Sequence, residues 1–130
     1  MTRVAAIDCG TNSIRLLICD IDAGGSARDV ERRMQIVRLG QGVDGTGRLH
    51  PDALDRTRTA LAAYHEMIAK AGAERTRMVA TSATRDAQNA ADFREMVAGV
   101  LGQEPEHPLG IDEVLGAAEA DEGKRPLPVR

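Results

Sequence analysis

A short polar stretch between two apolar runs holds the residues best suited to chemistry. Asp8 ends the first run, and Gly10, Thr11, Asn12 and Ser13 separate it from the second. A turn between strands leaves backbone N–H groups unpaired, and glycine lets that backbone approach a ligand. Converging N–H and O–H donors suit phosphate oxygens, and the Asp8 carboxylate can hold Mg²⁺ against a phosphate. The stretch predicts a metal-assisted phosphate site, with an ordinary polar hairpin turn as the alternative.

A second polar corner, Thr81–Asp86, lies between a predicted strand and a predicted helix. Open α/β sheets bind ligands at the carboxyl ends of their strands, and the Arg85 guanidinium can bind phosphate through two hydrogen bonds. The alternative is a surface ion pair between Arg85 and Asp86. A glycine-rich stretch, residues 40–47, is a candidate phosphate cradle. The alternative is a mobile loop, which is favoured because no lysine follows at the spacing of a P-loop.

Hydrophobic periodicity places these corners on six elements. They are predicted strands Val4–Cys9, Ser13–Asp20, Val30–Leu39 and Thr76–Thr81, and predicted helices Pro51–Ala71 and, from the cap Asn89, as far as Leu101. The order β-β-β-α-β-α predicts an α/β fold with a mixed sheet and helices packed on it.

The long helix has two predicted faces. The buried face holds Leu54, Thr57, Leu61, Tyr64 and Ile68, and the solvated face holds Arg56, Arg58, Glu66 and Lys70.

Composition restricts the class of protein. A chain of 130 residues is enough for one domain, and a net charge of −3 argues against binding nucleic acid or an anionic membrane through bulk charge. No apolar run approaches the ~20 residues of a membrane-spanning helix, and no secretory signal is visible, so a cytoplasmic location is expected. Cys9 and Cys19 are expected to be free buried thiols.

The end of the chain differs from the rest. Residues 104–130 contain four of the five prolines together with a run of charged residues, a composition typical of flexible segments. We therefore predict a domain over residues 1–103 and a divergent, flexible tail over residues 104–130.

Three segments together resemble one protein family. They read Asp8-Cys9-Gly10-Thr11-Asn12-Ser13, then Arg38-Leu39-Gly40-Gln41-Gly42-Val43, then Ala80-Thr81-Ser82-Ala83-Thr84-Arg85-Asp86-Ala87-Gln88-Asn89. In this order they resemble the exopolyphosphatase / guanosine pentaphosphate phosphohydrolase (Ppx/GppA) family, over its N-terminal part. The resemblance implies one half of an actin-like ATPase or sugar-kinase-type domain, with a ribonuclease H-like core.

The same resemblance implies an activity and its residues. Members of the family hydrolyse a terminal phosphoanhydride of polyphosphate or guanosine pentaphosphate with Mg²⁺. The segment Gly10–Ser13 matches the first phosphate loop, and Arg85 matches the arginine that meets the phosphate chain. Family members use a glutamate to activate water, and Glu113 is its counterpart in a loosely matching segment.

Departures from the family pattern leave other interpretations open. The family's second phosphate loop is absent from the sequence given, which leads us to expect a truncated or frameshifted member. An alternative is an inactive fragment that binds phosphate or nucleotide, self-associates, or docks onto a full-length homologue. A third, a sugar-kinase-like ATPase fragment, conflicts with the segment Ala80–Asn89.

Overall fold

The computed structural model describes residues 1–80, 84 and 86–103. Within this part of the chain a sheet of four strands packs against helices. The elements are β1 (Thr2–Cys9), β2 (Ser13–Ile21), β3 (Ala27–Ile36), α1 (Val43–Thr46), α2 (Pro51–Ala71), β4 (Arg75–Ala80) and α3 (Ala90–Leu101).

The sheet is mixed, as the sequence predicts. Its strand order is β3-β2-β1-β4. The pairs β1–β2 and β2–β3 are antiparallel, whereas β1 and β4 run parallel. A parallel pair needs a long crossover connection, and α2 lies on the crossover that returns the chain to β4. The carboxyl ends of β1 and β4 consequently lie side by side, with Cys9 opposite Ala80.

The core lies on one face of the sheet. Alternate residues of β1, β2 and β4 are buried, which is the pattern of strands covered on one side. On β1 and β2 these residues are Ala5, Ile7, Cys9, Ile14, Leu16 and Ile18. Phe93 and Val97 of α3 join the same cluster. The one tyrosine, Tyr64, and the one phenylalanine, Phe93, are both fully buried, so a largely aliphatic core is completed by its two aromatic rings.

Helix α2 has the predicted bounds and nearly the predicted buried face. Pro51 occupies its first turn, and Gly72 ends it in the left-handed conformation with φ 72°. Thr57, Leu61, Tyr64 and Ile68 are buried, as predicted, whereas Leu54 is only half-buried.

Strand β3 begins and ends earlier than predicted. It ends at Ile36, although Val37 and Leu39 are both buried in the core. Arg38 between them adopts a positive φ of 52°, and the N–H groups of Val37 and Arg38 both donate to the carbonyl of Asn12 at 2.9 Å. The chain therefore leaves the sheet after Ile36 and contacts the turn that precedes β2. Hydrophobic periodicity alone does not reveal this.

A partly buried ion pair between Arg3 and Asp20 joins β1, β2 and the C-terminal end of α2. The Arg3 guanidinium donates to both carboxylate oxygens of Asp20 and to the carbonyl of Ala71. Asp20 is only 5% exposed, and the hydrogen bond from Arg3 lowers the pKa of its carboxyl below the usual value. The ion pair thus attaches the C-terminal end of α2 to strands β1 and β2.

Two further expectations concern membrane-spanning helices and the division of the chain after residue 103. No helix in the described ranges is long and apolar enough to cross a membrane. Residues 104–130 lie outside the described residues, so the division of the chain after residue 103 stays a prediction.

Candidate functional site

The turn between β1 and β2 has three of its carbonyl groups occupied and several of its hydrogen-bond donors free. The N–H of Gly10 donates to the carbonyl of Ser13 at 2.8 Å, which closes the turn. The carbonyl of Thr11 accepts from Gly40, and that of Asn12 accepts from Val37 and from Arg38. The carbonyl oxygens of Thr11, Asn12 and Ser13 are thus all occupied by the protein itself.

The donors of the same turn remain available. Across the described ranges, the N–H groups of Thr11 and Asn12 and the side chains of Thr11, Asn12 and Ser13 make no hydrogen bond. Thr11 and Asn12 are exposed, and Ser13 is half-buried. A turn with free N–H and O–H groups and occupied carbonyls favours an anion. Gly10, Thr11, Asn12 and Ser13 form this turn, and we call these four residues the phosphate turn after the role predicted for them.

The next hairpin of the sheet shows that an ordinary polar turn looks different. Between β2 and β3, the Asp22 carboxylate accepts from the N–H groups of Gly24 and Ser26, and its carbonyl accepts from Gly25. Here a side chain of the turn consumes the backbone donors, in the manner of an Asx turn. In the phosphate turn no side chain accepts from the backbone N–H groups of Thr11 and Asn12, and this contrast argues against a purely structural role for it.

Asp8 lies two residues before the phosphate turn, on the sheet face opposite the core. It is exposed and sits directly across from Arg15 of β2 and beside Val79 of β4. No cluster of three or more His, Cys, Asp or Glu side chains occurs within the described ranges. Mg²⁺ is commonly held by one or two carboxylates together with substrate phosphates, so a single carboxylate beside a turn with free donors fits this ion.

The two thiols are free and buried, as predicted. Cys9 adjoins the phosphate turn, yet burial, followed by the charge of Asp8, raises the pKa of its thiol to about 12. A thiolate is the reactive form of cysteine. Cys9 is therefore an inert part of the core and supplies no nucleophile to the site.

The second polar corner is described only in part. Ala80 ends β4 beside Cys9, and Thr84 is buried. Thr81, Ser82, Ala83 and Arg85 lie outside the described residues, and so does Glu113. The predicted roles of Arg85 and Glu113 therefore stay predictions.

The predicted capping role of Asn89 is wrong. Asn89 stands at the N-cap position of α3, but its side chain makes no capping hydrogen bond. Its Oδ1 instead accepts from the N–H of Leu49 at 2.7 Å, and its Nδ2 donates to the carbonyl of Leu49 at 3.0 Å. A partner 40 residues earlier in the chain has displaced the local one.

The glycine-rich stretch is hydrogen-bonded to the phosphate turn and contains a short helix, and its predicted role as a phosphate cradle stays a prediction. The Gly40 N–H donates to Thr11, and residues Val43–Thr46 form the short helix α1 between left-handed glycines at 42 and 47. Gly47 accepts a hydrogen bond from the N–H of Gln88 at 2.7 Å. Hydrogen bonds thus join this stretch to the first motif at Thr11 and to the second motif at Gln88.

Sequence reasoning missed two side chains that support the site. The Tyr64 hydroxyl donates to the carbonyl of Ile14 at 2.9 Å inside the core, directly after the phosphate turn. Arg56, assigned to the solvated face of α2, donates to the carbonyl of Val37 at 2.9 Å and to the side chain of Gln41. Helical spacing marked Tyr64 only as buried, and nothing local indicated the partners of Arg56.

Comparison with known proteins identifies the family. The profile of the Ppx/GppA phosphatase family matches residues 17–123, which is most of the chain. The chain belongs to the Ppx/GppA phosphatase family. The phosphate turn lies just before the matched region and carries the family resemblance noted from the sequence.

Curated relatives of this Ppx/GppA chain carry the names of two phosphohydrolases. It is 57% identical over 125 residues to exopolyphosphatase 2 of Mycobacterium tuberculosis, covering 94% of this chain and 39% of that protein. It is 36% identical over 117 residues to a guanosine-5'-triphosphate,3'-diphosphate pyrophosphatase of Vibrio cholerae, covering 89% of this chain and 22% of that protein. The chain thus spans about two fifths of the first relative and less of the second.

Solved structures of the family share the fold. The Ppx/GppA protein of Aquifex aeolicus superposes with a TM-score of 0.76 at 39% identity, covering 81% of this chain and 34% of that one. An exopolyphosphatase-like protein gives the same TM-score at 45% identity. The predicted actin-like ATPase fold is confirmed, and the mixed sheet with its helices is one part of such a domain.

Proposed function

We propose that this chain carries the first phosphate-binding loop of a Mg²⁺-dependent phosphohydrolase, which releases terminal phosphate from inorganic polyphosphate or guanosine pentaphosphate. One observation carries the proposal: in the phosphate turn every carbonyl from Thr11 to Ser13 is occupied, whereas the N–H groups of the exposed residues Thr11 and Asn12 are free. Family membership supports the reaction class, and the names of the relatives support the two substrates.

Each residue of the turn has a role in this proposal. The N–H groups of Thr11 and Asn12 bind phosphate oxygens, and the Thr11 and Ser13 hydroxyls add donors to the same anion. Because these donors are already oriented, they need no rearrangement to stabilise negative charge as it develops. Gly10 contributes a backbone with no side chain to obstruct the phosphate.

Asp8 is the residue proposed to hold Mg²⁺. When bound, the ion neutralises the charge of neighbouring phosphate oxygens. The resemblance adds Arg85 as a phosphate ligand and Glu113 as the base that activates water. Both assignments belong to the proposal and rest on the sequence motifs.

A second candidate function is phosphate or nucleotide binding without hydrolysis. The observation that favours it is that the described groups of the turn are binding groups: Thr11, Asn12 and Ser13 offer donors, and none of them is a base. Self-association or docking onto a homologous chain stays a prediction under either function.

Phosphate release separates the two candidates. The full chain is incubated with Mg²⁺ and either long-chain polyphosphate or guanosine pentaphosphate, and free phosphate is measured. Ser13→Ala should lower the rate, because a donor to the transferred phosphate is lost. The control Ser26→Ala removes a hydroxyl from the neighbouring hairpin and should leave the rate unchanged.

The outcomes are distinct. Release that depends on Ser13 supports hydrolysis at this turn, and the faster substrate identifies the activity. Binding of polyphosphate without release supports the second candidate. If the full chain shows neither binding nor release, both candidate functions are wrong.

A further inference from the structure

Arg38 has an unusual backbone conformation beside the phosphate turn. Its φ angle is 52°, and within the described part of the chain no other residue with a side chain has a positive φ. This left-handed region is unfavourable for a residue that carries a β-carbon, and glycine, asparagine and aspartate enter it more readily. On conformational grounds, arginine is therefore a poor choice at position 38.

The surrounding structure holds this conformation in place. The N–H of Arg38 donates to the carbonyl of Asn12 at 2.9 Å, and the carbonyl of Arg38 accepts from the N–H of Gln41 at 3.0 Å. The neighbours Val37 and Leu39 are both buried. Disfavoured conformations persist where the rest of the fold fixes them, and they are concentrated at functional sites. The backbone of residue 38 is thus fixed directly against the phosphate turn.

The side chain of Arg38 contributes nothing to this arrangement. Residue 38 is exposed, and in the part of the chain that the structure describes its guanidinium makes no hydrogen bond or ion pair. By contrast, the guanidinium of Arg56 on the neighbouring helix α2 donates to the carbonyl of Val37 and to the side chain of Gln41. Position 38 therefore carries a free cation where glycine would relieve the backbone.

An anion on the phosphate turn lies within reach of this guanidinium. The backbone nitrogen of Arg38 is 2.9 Å from the carbonyl oxygen of Asn12, and the free N–H of Asn12 belongs to the same residue. An extended arginine side chain spans roughly 7 Å from its α-carbon, because each of its bonds is about 1.5 Å long. The guanidinium can therefore meet a phosphate that is held by the N–H groups of Thr11 and Asn12.

We propose that Arg38 is a phosphate-binding residue, whose guanidinium donates to the phosphate held by the N–H groups of Thr11 and Asn12. The proposal rests on the proposed function, because it needs an anion at the phosphate turn. The donors of the turn itself are uncharged, and a hydrogen bond from a charged donor is about twice as strong as one from a neutral donor. Arg38 thus supplies the positive charge that the turn lacks.

Binding of tripolyphosphate to the full chain tests the proposal. The dissociation constant is measured with Mg²⁺ in about 0.15 M salt, where exposed charges more than about 8 Å apart are largely screened. Arg38→Gln should weaken binding about tenfold, the effect of losing a charge-assisted hydrogen bond. The control Arg48→Gln removes the same charge from another exposed arginine between β3 and α2, and it should weaken binding less than about twofold.

Arg38→Gly separates binding from folding. Glycine adopts a positive φ readily, so this variant should unfold at the same urea concentration as the unaltered chain or at a higher one. Its binding of tripolyphosphate should nevertheless weaken about tenfold, as in Arg38→Gln. A fall in stability that accompanies weaker binding in both variants would assign Arg38 to the fold and contradict the proposal.

The Nε–H signal of Arg38 in NMR spectra, assigned by its loss in Arg38→Gln, reports contact with the anion directly. It should shift with tripolyphosphate in parallel with the amide signals of Thr11 and Asn12. If those amides shift and the Arg38 signal does not, the proposal is wrong and the phosphate turn keeps its proposed function. The same conclusion holds if Arg38→Gln weakens binding no more than Arg48→Gln. If the unaltered chain does not bind tripolyphosphate, the proposed function is wrong, and the role of Arg38 is wrong with it.

Discussion

The N–H of Gly40 donates to the carbonyl of Thr11 at 2.8 Å, and a β-carbon on Gly40 would lie 2.3 Å from Cγ2 of Thr11. Real β-carbons do not approach a heavy atom so closely. Gly40 is therefore required by its close approach to the Thr11 side chain and not by its φ angle. The chain at Gly40 thus lies against the phosphate turn, and its N–H occupies the carbonyl of Thr11.

Gly40→Ala should destabilise the protein by about 1–3 kcal/mol, the usual cost of an overpacked site. Thr11→Ser removes the offending methyl group and keeps the hydroxyl. In the Thr11→Ser background, Gly40→Ala should therefore cost clearly less. Urea unfolding of the four chains measures the coupling; an identical cost in both backgrounds would show that the methyl contact is not the reason for glycine.

Tyr64→Phe should lower the free energy of unfolding by about 1–2 kcal/mol, because it leaves the buried carbonyl of Ile14 without its donor. Phenylalanine fills nearly the same volume, so the loss reports the hydrogen bond and not a cavity. Urea unfolding at pH 7 measures it. The neighbouring Met67→Leu, on the half-buried side of α2, is the control and should change stability less; a neutral Tyr64→Phe would exclude a supporting role for the hydroxyl.

Tyr64 also predicts sensitivity to alkali. Burial raises the pKa of its hydroxyl above the ordinary value of 10.0, so above about pH 10 the unfolded chain releases this proton before the folded chain does. The folded state then binds more protons, and stability falls as pH rises. The stability difference between the unaltered chain and Tyr64→Phe should be constant below pH 9 and shrink above pH 10. A difference that is flat, or that grows, up to pH 11 contradicts burial of a neutral hydroxyl.

His50 caps α2 with a side chain that is uncommon at this position. Its Nδ1 accepts from the N–H of Asp52 at 3.0 Å. His50→Ala should cost about 1 kcal/mol of stability, typical of a lost N-cap, whereas His50→Asn should cost little, because asparagine is a favoured cap. Thermal unfolding at neutral pH compares them. His65→Ala on the exposed side of the same helix is the matched control, and an equal effect at both histidines would rule out capping.

Local patterns were sufficient for most of the elements and for the position of the polar turn between β1 and β2. The polar residues Gly10–Ser13 lie between two short apolar runs, and a β-hairpin turn is determined largely by residues adjacent in sequence. The buried face and both ends of α2 also follow from spacing, proline and glycine.

Long-range backbone contacts were not predictable in the same way. Strand β3 ends at Ile36 because Val37 and Arg38 bond to Asn12, about 25 residues earlier, although their apolar periodicity continues. Asn89 satisfied the local rule for a helix cap and yet pairs with Leu49. In both cases a partner distant in sequence competes with a local preference of about 1 kcal/mol and wins, so only the folded structure identifies it.

The most direct test of the central claim is an NMR titration of the full chain with tripolyphosphate and Mg²⁺. The account predicts saturable shifts of the Thr11 and Asn12 amide signals, because their N–H groups are free to donate. The turn at Gly24 and Gly25 is the internal control, since Asp22 occupies its donors, and its signals should not move. Shifts absent from the phosphate turn, or equal in the two turns, would contradict the assignment of this turn as a phosphate site.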